Sequence, residues 1–215
     1  MPYTLYSFIR SGGAMVEAAL AEADAPVDVR PVDIRTGAQR DPEYLAVNPH
    51  GKLPALITPD GELLTETLAI LLSIEDRHPD AGLMPERGSP DRARALRWLA
   101  FAATELYPIV EILDYPDRFS PTPGQVDATR AVALEIWRAR LKTMEAQLSD
   151  DGPFLLGQTF CLTDIYWAVI ARWGFQPEWT QSHTPKLERL FHAVCARPKI
   201  AAVWGDRWDA RPAAL

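Results

Sequence analysis

The sequence predicts an α/β domain over residues 1–78, a linker over 79–90, and an all-α domain over 91–215. Three observations carry this. Strand-like and helix-like segments follow one another as βαβ and then ββα up to residue 78. A stretch rich in proline and glycine follows, with Gly82, Pro85, Gly88 and Pro90. Beyond it the apolar residues keep helical spacing and no clear strand pattern returns. With 215 residues, 47% of them hydrophobic and 24% charged, the chain has ample material for a globular core.

Thr4 to Ile9 carries aromatic and branched side chains and reads as a strand, which Ser11-Gly12-Gly13 breaks. Ala14 to Ala23 is alanine-rich, with Val16 and Leu20 four apart, and predicts a helix. Val27 to Val32 alternates branched and polar residues as a second strand, parallel to the first. Asp41 to Val47 is a looser helical patch before the loop Asn48–Pro54. Ala55 to Ile57 and Glu62 to Leu64 predict a hairpin turning at Asp60-Gly61, a pair that tolerates positive φ. Thr65-Glu66-Thr67 opens a helix to about Arg77, and Pro79 stops it. In the second half, helices are expected over Asp91–Leu113, bent or broken at Pro108, and over Val126–Leu148. The latter carries a stripe of Val132, Ile136, Trp137, Leu141, Met144 and Leu148. Leu162–Trp173 and Lys186–Val194 follow as helices, and Pro198 interrupts what comes next.

Composition removes several classes. Against 29 acidic side chains there are 22 basic ones, for a net charge of -7, and the basic residues are interspersed with acids. A nucleic-acid binder needs a basic footprint, so no nucleic-acid partner is expected. Cys161 and Cys195 form neither a CxxC pair nor a metal spacing; separate thiols are the plain reading, and a disulfide between them stays open. The histidines His50, His78, His183 and His192 make no ligand pattern, so no metal is predicted. No run reaches the roughly 20 apolar residues that cross a bilayer, and no basic region leads into a long apolar one at the N-terminus. No membrane partner is expected, and the cytoplasm is the expected location.

Two strings are similar to segments of the cytosolic glutathione transferase family: Asn48-Pro49-His50-Gly51-Lys52-Leu53-Pro54 and Glu66-Thr67-Leu68-Ala69-Ile70. They resemble the loop before that family's cis proline and its glutamyl-binding turn. Trp98–Tyr107 and Phe160–Tyr166, the latter followed by Arg172-Trp173, look most like the bacterial beta class. Leu5–Ser11 also resembles the start of the zeta class. The resemblance covers nearly the whole chain. It implies a thioredoxin-like first domain, the glutathione transferase architecture, glutathione as a cosubstrate, a small electrophile as its reaction partner, and a homodimer. It also places glutathione on the first domain and the electrophile against the second.

The resemblance singles out particular residues. It makes the Leu53–Pro54 bond cis, so that Leu53 offers its amide and carbonyl to the cysteinyl part of the peptide. Thr67 would receive the glutamyl carboxylate at a helix start, where amides are unpaired and the dipole is positive. Glu66 would neutralise the glutamyl ammonium. Capping alone is the competing role for Thr65 and Thr67. His50 and Lys52 stand near the expected place of the glycyl carboxylate, and Arg10 near an anionic ligand; a solvated turn is the alternative for Lys52 and Arg10. Ser11, between strand and helix, is the leading donor to the thiol, with an N-cap as its alternative. Tyr6, Ser7 and the amides of Gly12 or Gly13 are further donors.

Departures from the family patterns matter as much. Gly12 stands where the beta class has a cysteine, which removes that class's mixed disulfide. Tyr107 stands where it has a histidine, either lining the site with a phenol or packing half-buried. Trp173 is an apolar wall or core; Arg172 attracts an acidic substrate or is solvated. Cys161 and Asp164 occupy the family's buried helix cap, where a folding role is expected. The expected function is activation of bound glutathione for attack on a small, partly apolar electrophile. Glutathione-dependent reduction of peroxides or disulfides is the second enzymatic reading, and a noncatalytic interaction scaffold the third.

Overall fold

A computed structural model describes residues 1–173 and 176–208. The chain divides into two compact units, Met1–Met84 joined by the chain's return from Cys195, and Pro85–Val194.

The first unit opens with β1 (Tyr3–Ser7), α1 (Gly13–Glu22) and β2 (Val27–Pro31). The short α2 (Pro42–Leu45), β3 (Ala55–Ile57), β4 (Leu63–Leu64) and α3 (Thr67–Arg77) complete it. The four strands form one sheet in the order β2-β1-β3-β4, parallel between β1 and β2 and antiparallel elsewhere. This is the expected thioredoxin-like arrangement. Tyr3, Leu5 and Ser7 alternate inward along β1. Leu5, Leu56, Met15, Leu20, Ile70, Leu71 and Ile74 are fully buried around the sheet and its helices. Burying each such side chain contributes about 1.5–3 kcal/mol.

β1 stops at Ser7 instead of running to Ile9. The Phe8 amide, the next one along the strand, donates to Ser11 Oγ at 3.3 Å, and Arg10 turns to a φ of 64°. The strand therefore gives way to a tight loop two residues early.

The second unit is helical, as expected. It comprises α4 (Pro90–Phe101), a π-helical turn (Ala102–Leu106), α5 (Tyr107–Asp114), α6 (Val126–Glu145), α7 (Leu162–Arg172), α8 (Pro177–His183) and α9 (Pro185–Cys195). Ser89 caps α4 by accepting the Arg92 amide at 3.1 Å. α7 is buried along its whole length. It is tied to α4 by Thr163 Oγ1 donating to the Ala95 carbonyl at 3.0 Å and Trp167 Nε1 to that of Trp98 at 3.1 Å.

Two expectations for this half need correction. The stripe of α6 is Ala133, Trp137, Leu141 and Met144, with Leu148 beyond, while Val132 is 61% exposed. A helix turns 100° per residue, so Val132, beside Ala133, faces away. Pro108 breaks nothing at its own position; it sits in the first turn of α5, and the irregularity lies just before it. Lacking an N–H, Pro108 leaves the Thr104 carbonyl without its α-helical donor, and the preceding turn widens to π.

The chain returns to the first unit through α10 (Pro198–Trp204). α10 packs on α1, and Trp204 Nε1 donates to the Ala14 carbonyl at 2.9 Å. Arg197 grips Glu22 with two hydrogen bonds of 2.8 Å. Pro198, expected to interrupt a helix, instead starts one, at the position where a missing amide hydrogen costs nothing. Among the described residues, Cys161 and Cys195 are not joined in a disulfide. Among the described residues no helix is long and apolar enough to cross a membrane, and no cluster of three metal-ligating side chains occurs.

Candidate functional site

Strand register brings the expected ligand residues of the first unit to one end of the sheet. Tyr6 pairs with Ala55, so the end of β1 and the start of β3 are neighbours. Leu56 pairs with Leu64, so β4 finishes beside the same place. The loop Phe8–Gly12, the bend Leu53–Pro54 and the start of α3 therefore converge, although they are far apart in sequence.

The Leu53–Pro54 peptide is cis, as the resemblance implies. The loop ahead of it is pinned through its backbone. The Lys52 carbonyl accepts Tyr44 OH at 2.6 Å and Asn48 Nδ2 at 2.8 Å. Asn48 Oδ1 in turn accepts the His50 amide at 3.1 Å. Gly51 has a φ of 59°, and a Cβ there would lie 2.9 Å from the Gln39 carbonyl oxygen, so the turn needs glycine. His50 and Lys52 are exposed and Pro54 is buried. Among the described residues, no hydrogen bond uses the amide or carbonyl of Leu53. Burial pushes the Tyr44 phenol up to about 12.

Glu66 and Thr67 open α3 without a side-chain cap. Glu66 is exposed and has a φ of 63°, an uncommon conformation for a residue with a Cβ. Its carbonyl takes the Ile70 amide at 3.0 Å. Thr67 is buried, and its hydroxyl has no partner among the described residues. The capping role weighed for Thr65 and Thr67 is therefore not the one they play. The first-turn amides and the positive end of the helix dipole stay available to an anion.

Ser11 Oγ accepts two amides, that of Phe8 at 3.3 Å and that of Gly13 at 3.1 Å. A serine hydroxyl has two lone pairs and one hydrogen. Its lone pairs are thus occupied in shaping the loop, while its hydrogen has no acceptor among the described residues. Accepting amides and donating a hydrogen, posed as alternatives by the sequence, would use different parts of the same group. Neighbouring candidates have contacts of their own. Ser7 Oγ is buried and donates to Glu17 Oε1 at 3.2 Å. The Tyr6 ring lies against Tyr44, with centroids 5.8 Å apart. Arg10 lies 5.4 Å from the centroid of Trp208.

Tyr107 belongs to the second unit. It follows the π turn directly, and its ring packs edge-on to Trp173 at 4.9 Å and tilted to Tyr166 at 6.2 Å. Arg172 is buried; it pairs with Glu188 at 2.7 Å and lies 3.6 Å from the centroid of Phe191. That arrangement ties α7 to α9, in place of the solvated or substrate-facing roles weighed for it.

Comparison with known proteins places the chain. Residues 1–76 match the glutathione S-transferase N-terminal domain. The uncharacterized GST-like protein YncG of Escherichia coli (strain K12) is 32% identical over 196 residues, spanning 89% of this chain and 92% of its relative. The chain belongs to the glutathione S-transferase family. Glutathione S-transferase GstA of Escherichia coli O157:H7 is 31% identical, over 74% of this chain and 75% of that protein. A glutathione transferase homolog from Sulfitobacter, solved with bound glutathione, superposes with a TM-score of 0.83 at 30% identity, covering 94% of this chain and 96% of its own.

Two features of this family member were not anticipated from its sequence. The first is the buried Glu17, which pairs with Arg207 from the C-terminal return. The signal was present: a single acid inside the otherwise apolar run Ala14–Leu20. The second is the π turn before Tyr107, for which Pro108 was the signal. A hollow of about 550 Å³ lies elsewhere in the first unit, beside Glu22, Asp24, His78 and Arg197. None of the expected ligand residues lines it, and Arg197 and Lys199 there are already paired with acids.

Proposed function

We propose that the first unit binds glutathione and holds its thiol for attack on a small, partly apolar electrophile. The observation that supports this best is the convergence of three unsatisfied groups: the Leu53 backbone, the open start of α3 and the hydrogen of Ser11. Each suits one part of an extended, zwitterionic thiol peptide. Leu53 would pair with the cysteinyl backbone. The Thr67 amide and hydroxyl would take the glutamyl carboxylate, and Glu66 the glutamyl ammonium. His50 and Lys52 carry the right chemistry for the glycyl carboxylate, and Arg10 adds positive charge beside the thiol loop.

The chemistry follows from the thiol. A free cysteine thiol has a pKa of about 8.5, so little of it is anionic at neutral pH. A hydrogen bond from Ser11 to sulfur favours the anion. The proton leaves to solvent. A sulfur lone pair then forms the bond to carbon, and the leaving group departs with the electron pair of the broken bond. Gly12, in the place of the beta-class cysteine, keeps the chain's own sulfur out of this cycle. Cys161 is no substitute, because burial pushes its thiol far up. In the second unit, the Tyr107, Trp173 and Tyr166 group would give the electrophile an apolar surface. The reading carries with it a homodimer in the cytoplasm, which sedimentation and fractionation would check.

Two measurements test the activation. Calorimetry should find glutathione binding, and ultraviolet titration should place the bound thiol below the free value. Ser11→Ala should return the thiol upward by about one unit, the scale of one hydrogen bond to a charged group. A wild-type thiol that titrates like free glutathione would overturn the proposal.

A further inference from the structure

We infer that Arg207, acting through buried Glu17, is a positioning residue for the thiol loop. The inference rests on the function proposed above and extends it to residues outside the ligand-facing set. Glu17 lies on α1 with its side chain 7% exposed. A buried carboxylate needs partners that compensate its charge. It has two. Oε1 accepts Ser7 Oγ at 3.2 Å, and Oε2 meets the Arg207 guanidinium at 2.5 Å. Arg207 sits just beyond α10 and is 36% exposed, so the pair is fed from the C-terminal return.

The contact reaches the thiol loop within one step. A Cβ on Gly13 would lie 2.0 Å from Ser7 Oγ and 3.3 Å from Ser11 Oγ. Both hydroxyls therefore crowd one point, and only glycine fits there. Ser7, Gly13 and Ser11 form a single packed turn, with Glu17 behind it and Arg207 behind Glu17. The return holds the same turn at two further places. Trp204 Nε1 bonds the carbonyl of Ala14, and the Trp208 ring lies by Arg10, the loop residue with a φ of 64°. Facing Glu17 are thus the neutral Ser7 from β1 and the charged Arg207 from the return, with Arg10 in the loop itself.

The charge balance gives Arg207 a task that mere packing would not. A carboxylate behind the thiol loop opposes a second negative charge on sulfur. Arg207 cancels it while leaving Glu17 to hold Ser7 by hydrogen bond. Removing either partner should therefore move the bound thiol in opposite directions.

The test is the pH titration of glutathione's thiol absorbance on the whole protein, with calorimetry for affinity. Arg207→Met should raise the midpoint by about one pH unit, roughly tenfold less thiolate at neutral pH. It should lower kcat more than it changes KM. Glu17→Gln should lower the midpoint, and Arg207→Lys should stay near wild type. A loop that was merely loosened would shift Met and Gln variants the same way; that result, or no shift in either, overturns the inference. If Arg207→Met fails to fold, Glu17→Gln decides alone: a lowered midpoint supports the inference, an unchanged or raised one sinks it. Failure of wild type to bind glutathione, or to shift its thiol, would bring down the proposed function and this inference together. Normal wild-type behaviour with inert variants removes the inference only.

Discussion

Two helices of this protein begin in opposite ways. α7 starts at a closed door. Asp164 is wholly buried, and its two oxygens accept the amides of Leu155 and Cys161, each at 2.8 Å. α3 starts at an open one. Its first turn has no side-chain cap, Glu66 is held at positive φ, and the Thr67 hydroxyl has no partner among the described residues. Both starts carry an acid and a threonine within a few residues, so residue type alone does not separate them. What separates them is whether the protein's own groups satisfy the orphan amides. A satisfied, buried start serves folding. The start without such partners is where the proposed function puts the glutamyl carboxylate.

If the contrast holds, damage at the two helix starts should fall on different properties. Asp164→Ala should be the most destabilising substitution. It strands two backbone donors in a buried place, at about 1–3 kcal/mol each. A loss of about 3 kcal/mol corresponds to a fall of roughly 6–12 °C in Tm for a domain of this size. Glutathione affinity of the molecules that remain folded should hold. A thermal melt that matches wild type would show that the buried cap carries no special weight. Thr67→Val should do the reverse. It keeps the buried methyl and removes only the hydroxyl, so stability should change by less than about 0.5 kcal/mol. Affinity for glutathione should fall roughly tenfold, because a hydrogen bond to a charged group contributes about 1.5–3 kcal/mol. Equal affinity of the two proteins in calorimetry would assign Thr67 to the core instead.

Much of this contrast was legible beforehand, and the reasons differ by element. Asp164 at three residues past Cys161 is a local spacing, and local spacings survive translation into structure. The cis bond and the helix start at Thr67 were carried by strings that resemble a known family. The aromatic and branched side chains of Thr4 to Ile9 marked β1, but not its end, because that end is set by a hydrogen bond from Phe8 to a side chain three residues on. Pro79 and Pro198 show that proline has two readings: α3 ends just before Pro79 as expected, whereas Pro198, read as an interruption, begins a helix. The pairing of Glu17 with Arg207 spans almost the whole chain, and no periodicity in sequence encodes a contact at that separation. Ser11 was ambiguous for a better reason: accepting the loop amides uses its oxygen lone pairs, while the proposed donation would use its hydrogen.

The smallest effect concerns the loop before the cis bond and tests whether its rigidity is intrinsic. Tyr44 donates to the Lys52 carbonyl, just ahead of the cis bond, and its phenol is pushed up to about 12 chiefly by burial. An unfolded tyrosine titrates near 10. The folded state therefore holds the proton more tightly, and the stability this contributes is complete below pH 10. As the pH rises from about 10 to about 12, the unfolded chain loses its proton first and that contribution drains away. Tyr44→Phe lacks the hydrogen bond, so it should be less stable by about 1 kcal/mol at neutral pH. It should also be less sensitive to alkali over the same window. Denaturant melts of the two proteins should thus draw together as the pH rises through that range. A gap that stays constant to pH 12 would mean that the phenol is not held by burial, and that the loop keeps its shape through Asn48 and Gly51 alone.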